Sequence, residues 1–368
     1  MDEKTQEQAQ MLANRLVKRF RHLKKWAQRC GIGAFRLYDR DIPEIPLVLD
    51  FYGSAAEPSS ASQPVEAALC GALYKRPYEK DESEEEQWLA AMKDSAAAAL
   101  SIAQERIFLK QRQKQKGTAQ YEKLADARFE KIVSEGELSF KVNLSDYLDT
   151  GLFLDRRLLR EMVRKKAANK RVLNLFSYTG AFSVCAAAGG AASTDSVDLS
   201  NTYLAWAREN FSLNGMSAQL LQQWDFFGSA VGSGAGGGNR LIRADVLEFL
   251  EKAVSATQKT AALKWDIIVL DPPSFSNSKK MTDTLDLRRD YTALVTQCLK
   301  LLSSGGKLIF SANTHSFKTS AVELENGLKS FAGNLRVTDL NNKITDEDFK
   351  GKKYLLLFYL KKPISLAQ

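Results

Sequence analysis

WDIIVLDPPSFSNSK, residues 265–279, is the stretch whose reading decides the fold. Residues 266–270 form a short apolar run rich in Ile and Val, bounded by turn formers, which predicts a buried strand. The strand has to stop at Asp271, because Pro272 and Pro273 offer no N–H to a ladder and fix φ. Pro273 also drives Pro272 toward an extended conformation. The product is a stiff loop at the carboxyl end of a strand, the edge where open α/β sheets bind ligands. By itself the loop fits a plain strand end as well as a ligand-holding one. Its surroundings decide.

Outward from this strand the pattern alternates. Strands are expected at 171–176, 192–199 and 241–244, with helices after them at 181–188, 202–210 and 246–256. A helix at 287–302, a strand at 307–311, a helix after Ser320 and late strands at 335–339 and 354–360 follow. Residues 158–168 read as a basic helix. Such alternation predicts a parallel, doubly wound sheet. This α/β domain is expected over residues 143–368. A flexible Gly-rich insert is expected near 225–240, where GSAVGSGAGGGN lacks the Lys-Ser/Thr ending of a phosphate loop.

The first of these strands runs into NLFSYTGAFSV, residues 174–184. A dinucleotide would need three glycines in G-x-G-x-x-G so that amides can close on a pyrophosphate. Here there is only Gly180. S-adenosyl-L-methionine (SAM) has no phosphate, and one glycine suffices for close backbone approach. The next strand ends at Asp198, 18 residues after Gly180, where a carboxylate can accept both ribose hydroxyls. The third ends at Asp245, placed to take an adenine amino group, and the fourth at Asp271. Each acid alone would be an ordinary helix cap. All three in register with a glycine turn point to a SAM site.

Residues 1–142 differ in pattern and are expected to form a smaller α+β domain that binds RNA. Residues 1–10 are polar and expected to be disordered. Leu12, Leu16, Phe20, Leu23 and Trp26 then recur at helical spacing. The opposite face carries Arg15, Lys18, Arg19, Arg21, Lys24, Lys25 and Arg29 without an acid. A solvated face and an RNA contact both fit such a run. Strands are expected at 35–37 and 47–52, a flexible insert at about 53–80, and an Ala-rich helix at 87–103 behind the acidic run 81–86. Beyond a short strand at 106–109, Lys110, Arg112, Lys114 and Lys116 alternate, which puts them on one face of an extended ribbon. Such a ribbon can contact phosphates, and Tyr121 could stack on a base. A hairpin at 130–142 turns at Gly136.

Composition sets outer limits. A chain of 368 residues, 44% hydrophobic, has room for about two domains. A net charge of +8 favours an anionic partner. The four cysteines, Cys30, Cys70, Cys185 and Cys298, form no C-x-x-C pair, and two histidines complete no zinc set. No secretory signal opens the chain, and no apolar run approaches the roughly 18 residues of a membrane helix. These features predict a soluble cytoplasmic protein with neither metal nor membrane partner.

NLFSYTGAFSV, SVDLSNTYLAWARENFSLNG and LDPPSFSNSK resemble the bacterial 23S rRNA methyltransferases of the class I SAM-dependent, Rossmann-like fold. The likeness is above all to the guanine-N7 methyltransferase (RlmK) module that forms the C-terminal half of the fused RlmKL enzyme. It extends upstream through NRLVKRFRHLKKWA, FRLYDRDIPEIPLVLDFY, QKGTAQYEKL and FKVNLSDYLDTGLFLDRRL. It implies a stand-alone version of that module, acting on 23S rRNA or a ribosomal precursor particle. It implies SAM contacts from Phe176, Ser177, Tyr178, Gly180, Asp198, Asp245 and Asp271, with Asn174, Leu199 and Val246 beside them. Asp155, in the lead-in DTGLFLDRR, is a further candidate.

The methylated atom follows from chemistry. Cytosine C5 is nucleophilic only after a thiolate attacks C6. In the related cytosine enzymes that Cys follows the strand after DPP, where this chain has Ser311, Ala312 and Asn313. Cys185 and Cys298 fall within helices. Guanine N7 has a free lone pair and loses no proton, so positioning suffices. Asp271, Pro272, Pro273 and Phe275 are then the catalytic candidates. Asp271 and the loop carbonyls would meet the developing charge, and Phe275 would stack on a flipped base. Asn277 and Asn313 could read the guanine edge. Guanine N2 and cytosine C5 stay as alternatives, as does a non-catalytic RNA-binding protein on the same fold.

Overall fold

The computed structural model describes residues 2–53, 66–74, 81–111, 128–223, 225–227, 237–259, 263–273, 275–276, 285–313, 318–328, 335–341, 343–352 and 355–361. The chain divides into two compact units, one of residues 1–154 with 346–350, the other of 155–345 with 351–368. The division therefore falls at 154/155 instead of 142/143, and a short late segment belongs to the first unit.

In the first unit α1 (Glu3–Cys30) precedes β1 (Ala34–Asp39), β2 (Leu47–Tyr52) and β3 (Ala68–Leu73). Then come α2 (Glu82–Leu100), β4 (Ile107–Gln111), β5 (Glu130–Glu135) and β6 (Leu138–Asn143). The strands β1-β2-β3-β4 make one sheet and β5-β6 a hairpin. Leu12, Leu16 and Leu23 of α1, Trp88 and Met92 of α2, and Phe35, Leu37 and Leu49 of the sheet share one core. Two expectations fail here. Residues 3–10 are helical, because Asp2 caps α1 through the Thr5 N–H (2.6 Å) and buried Gln8 accepts from Trp88 Nε1 (2.6 Å). The span expected as an insert contains β3, which pairs with β2 and β4 and buries Ala68, Leu69 and Cys70. Residues 54–65 and 75–80 of that span lie outside the described residues.

The second unit runs α3 (Arg157–Lys166), β7 (Arg171–Leu175), α4 (Ala181–Ala188), β8 (Ser193–Asp198), α5 (Asn201–Leu213), β9 (Gln219–Gln222) and β10 (Gly238–Arg243). It continues through α6 (Val246–Lys259), β11 (Trp265–Leu270), the short β12 (Phe275–Ser276) and β13 (Leu285–Asp286), α7 (Leu287–Leu301) and β14 (Leu302–Asn313). It ends with α8 (Ala321–Leu328), β15 (Arg336–Asp339) and β16 (Leu355–Lys361). Eight strands form one sheet in the order β15-β16-β14-β11-β7-β8-β10-β9. Seven run in one direction, and β16 is antiparallel to its neighbours β14 and β15.

Both faces of this sheet are covered, which explains the apolar runs in β7, β11 and β14. Leu173, Leu175, Ile268, Leu270, Leu308 and Phe310 join a core with α6 and α7. Their neighbours Val172, Ile267, Val269 and Ile309 join one with α3 and α4. The chain winds outward from β7 through β8 to β10, and from β11 to β14 on the other side. The reversal lies between β7 and β11, the switch point where such sheets bind ligands. The Gly-rich insert at 228–236 lies outside the described residues, while residues 238–240, expected in it, begin β10.

Candidate active site

β7 delivers the chain into a tight turn at the switch point. Phe176 (φ 55°), Tyr178 (φ 51°) and Gly180 (φ 72°) all lie in the left-handed region. For the two non-glycine residues this costs about 1–2 kcal/mol each. Four contacts hold the turn. Ser177 N–H donates to Val197 O (3.0 Å), Tyr178 N–H to Asp198 Oδ2 (2.9 Å), and Asn210 Nδ2 to Thr179 O (2.9 Å). The Tyr178 ring meets Tyr203 edge-on at 4.5 Å. Gly180 is needed for its φ and because a Cβ there would lie 2.8 Å from Ala207 Cβ, so its glycine serves helix packing.

Asp198 closes β8. Its second oxygen, Oδ1, accepts from Ser200 N–H (2.9 Å). Burial pushes its carboxyl up to about 6, against the N–H groups of Ser200, Tyr178 and Leu199 that favour the charge. These N–H groups leave the carboxylate with acceptor capacity for a hydroxyl donor. Ser177 Oγ is buried with no hydrogen-bond partner among the described residues. An open donor-acceptor beside a doubly tethered carboxylate fits the polar groups of an adenosyl ligand. Asp245 caps α6 through Oδ1, on Leu247 N–H (2.8 Å) and Glu248 N–H (3.4 Å).

Asp271 closes β11 and is held from two sides. Arg156, in the 3-10 turn Leu154–Arg156, sends Nε to Oδ2 and Nη2 to Oδ1, both at 3.1 Å. Ser311 of β14 donates its hydroxyl to Oδ1 at 2.6 Å. Arg156 Nη1 also reaches Asp155 Oδ2 at 2.7 Å. The side chains of Asp155, Arg156 and Asp271 are 20%, 11% and 14% exposed. Burial opposes the charge of Arg156, but Asp155 and Asp271 outweigh it and raise its pKa.

The expected residues therefore separate. Phe176, Ser177, Tyr178, Gly180 and Leu199 belong to the β7 and β8 ends, with Asp198. Asp155, Asp271, Pro272 and Pro273 gather at the β11 end. Three of the expected side chains are engaged within the protein. Asn174 donates to Ser183 Oγ of α4 (3.0 Å) within a buried trio with Ser196, so its side chain packs in the core. Val246 is buried in the α6 core and can offer only its main chain. The carboxylate of Asp271 accepts three hydrogen bonds, two from Arg156 and one from Ser311, so most of its acceptor capacity is used. Asn277 and the side chain of Phe275 lie outside the described residues, and Asn313 is exposed at the end of β14. Cys70, Cys185 and Cys298 are buried, and Ser311 spends its hydroxyl on Asp271. Sequence reading missed Arg156 and Asn210. Arg156 pairs across 115 positions, and no local pattern marks such a contact.

The first unit carries its own charged cleft of about 530 Å³ on α1. Lys18, Arg21, Lys25 and Arg29 line it with Trp26, and His22 faces Glu347 at 2.9 Å. Arg15 is instead paired with Asp41 (2.8 Å) and Lys24 sits over the Phe20 ring, while Arg19 is half-buried. Lys110 is tied to the Tyr147 carbonyl. Arg112, Lys114, Lys116 and Tyr121 lie outside the described residues. Among the described residues, no helix is long and apolar enough to cross a membrane.

The sheet order, the switch-point turn and the acids that close its strands define a class I SAM-dependent methyltransferase. The family model of S-adenosylmethionine-dependent methyltransferases matches residues 59–231. Ribosomal RNA large subunit methyltransferase K of Neisseria meningitidis serogroup B is 42% identical over 341 residues, 93% of this chain and 84% of that protein. Ribosomal RNA large subunit methyltransferase K/L of Hahella chejuensis is 44% identical over 312 residues, 85% of this chain but 38% of that protein. The chain belongs to the ribosomal RNA large subunit methyltransferase K family. It spans about two fifths of the fused K/L relatives it matches. A methyltransferase solved with S-adenosylhomocysteine and a SAM-dependent methyltransferase from Streptococcus mutans share the fold. Each has a TM-score of 0.66 and 24% identity, over 96% of this chain and 81% of the other.

Proposed function

We propose that this chain transfers the methyl group of SAM to N7 of a guanine in 23S rRNA. Bound SAM supplies an electrophilic methyl group on a sulfonium. The main chain of the 176–180 turn, Ser177 Oγ and Asp198 would hold its adenosyl and methionyl parts, and Asp245 would serve the adenine side. The Asp271-Pro272-Pro273 loop presents the acceptor.

The observation that carries the choice of atom is the state of Asp271. Its oxygens already accept from Arg156 and Ser311, which leaves little acceptor capacity for an N–H proton of the base. Guanine N7 has none to lose, whereas the N2 amine must shed one. The thiolate that cytosine C5 requires has no counterpart at Ser311, Ala312 or Asn313. The names of the relatives support a large-subunit rRNA substrate, and with it a cytoplasmic location. Four cations and an indole on one helix suit a phosphate backbone with an unstacked base. Whether that rRNA is naked or in a precursor particle changes none of this chemistry.

The test is incubation with labelled SAM and undermethylated 23S rRNA, followed by borohydride and aniline. Chain cleavage at the labelled site is expected. Labelled rRNA that resists cleavage would assign another atom, N2 first.

A further inference from the structure

We propose that Arg156 is the positioning residue of the acceptor loop, acting through Asp271 on Pro272 and Pro273. This inference rests on the methyl-transfer reading of that loop. The guanidinium edge meets both oxygens of one carboxylate at 3.1 Å, a two-point contact that fixes the plane of Asp271 as well as its place. Ser311 adds a third point at 2.6 Å from the neighbouring strand. Asp271 is thus clamped between β14 and the turn that leads into α3. The two residues after it are prolines, each with φ fixed by its ring. Little torsional freedom separates the clamped side chain from the loop carbonyls. The direction of those carbonyls toward an incoming base is set by Arg156, which itself touches no reacting atom.

The surroundings support a purpose-built clamp. Arg156 is buried, and its remaining arm is taken by Asp155 at 2.7 Å. Two carboxylates around one guanidinium leave one net negative charge at this end of the sheet, which suits a cationic donor and a cationic product. A lysine would keep the charge but could not span both oxygens in one plane. Where catalysis is positioning, loosening that plane lowers the rate and spares binding.

Arg156→Lys in the full chain tests this against undermethylated 23S rRNA. We expect kcat to fall roughly 10- to 100-fold, with SAM Kd by calorimetry and rRNA KM within about threefold of the wild type. A kcat within about twofold of an active wild type would overturn the inference, as would equal losses in SAM affinity, KM and Tm. A double-mutant cycle of Arg156→Gln with Asp271→Asn gives a second reading that does not depend on the lysine variant folding well. The two losses in kcat should be strongly non-additive, since both break one clamp, and additive losses would refute it. A wild type that methylates no rRNA under the same conditions counts against the proposed function instead.

Discussion

Asp198 is under two opposed demands. Burial favours its protonated form, and the adenosyl diol we propose it holds needs the ionised one. With its carboxyl at about 6, the two states exchange just below neutrality. SAM affinity should be level above about pH 7 and weaken as pH falls below about 6, because a protonated Asp198 loses acceptor capacity. Calorimetry between pH 5 and 8 reads this, and a flat profile would remove Asp198 from the diol. The linkage for stability has the opposite sense. A carboxyl raised from 3.8 favours the folded state below 3.8, and that contribution is lost as pH rises through about 6. At pH 7 the ligand-free chain therefore lacks that contribution. Asp198→Ala should abolish SAM binding. At the acceptor end, Phe275→Ala should keep SAM binding and lower methyl transfer, and normal turnover would place the acceptor elsewhere.

Among the elements, α4 and α5 cross closely because position 180 lacks a side chain. Gly180→Ala should cost roughly 2–5 kcal/mol, combining a left-handed alanine with the 2.8 Å contact to Ala207. Ala207→Gly in the same chain should recover the steric part, so urea unfolding of the double variant should show less loss than the two singles summed. On the other core, Asp195 is fully buried and accepts from Arg240 Nε (2.6 Å) and Trp265 Nε1 (2.7 Å). Asp195→Ala should destabilise by about 3–5 kcal/mol, because it strands a buried guanidinium. The winding of the large sheet was legible in the sequence, since β7, β11 and β14 read as apolar runs between helices. So were the turn at Gly180 and the acids at 198, 245 and 271. What stayed hidden depends on distant partners. β9 is a short polar edge strand, QLLQ, that only β10 organises. The first turns of α1 lack an apolar stripe and are held by Trp88, 80 positions away. Asn174 sits in a motif whose neighbours face the ligand edge, yet strand alternation turns it toward Ser183.

Across the molecule, the proposed function gives the charges of α1 and the strand-end acids separate binding events, which should be separable by mutation. Lys18→Glu with Lys25→Glu should raise the rRNA KM about tenfold or more and reduce its salt dependence by about one unit for each phosphate no longer neutralised. SAM affinity should stay unchanged, and a parallel loss of both would contradict that separation. The segment at residues 346–350 belongs to the first unit although most of the second precedes it. Asp348 there accepts from Arg36 N–H (3.0 Å), and the Phe349 ring lies 5.0 Å from the Arg36 guanidinium. The consequence is one of timing. The first unit leaves the ribosome 196 residues before its last piece, the interval from 154 to 350. At about 5–20 residues per second, the nascent chain waits roughly 10–40 s for its own closing segment.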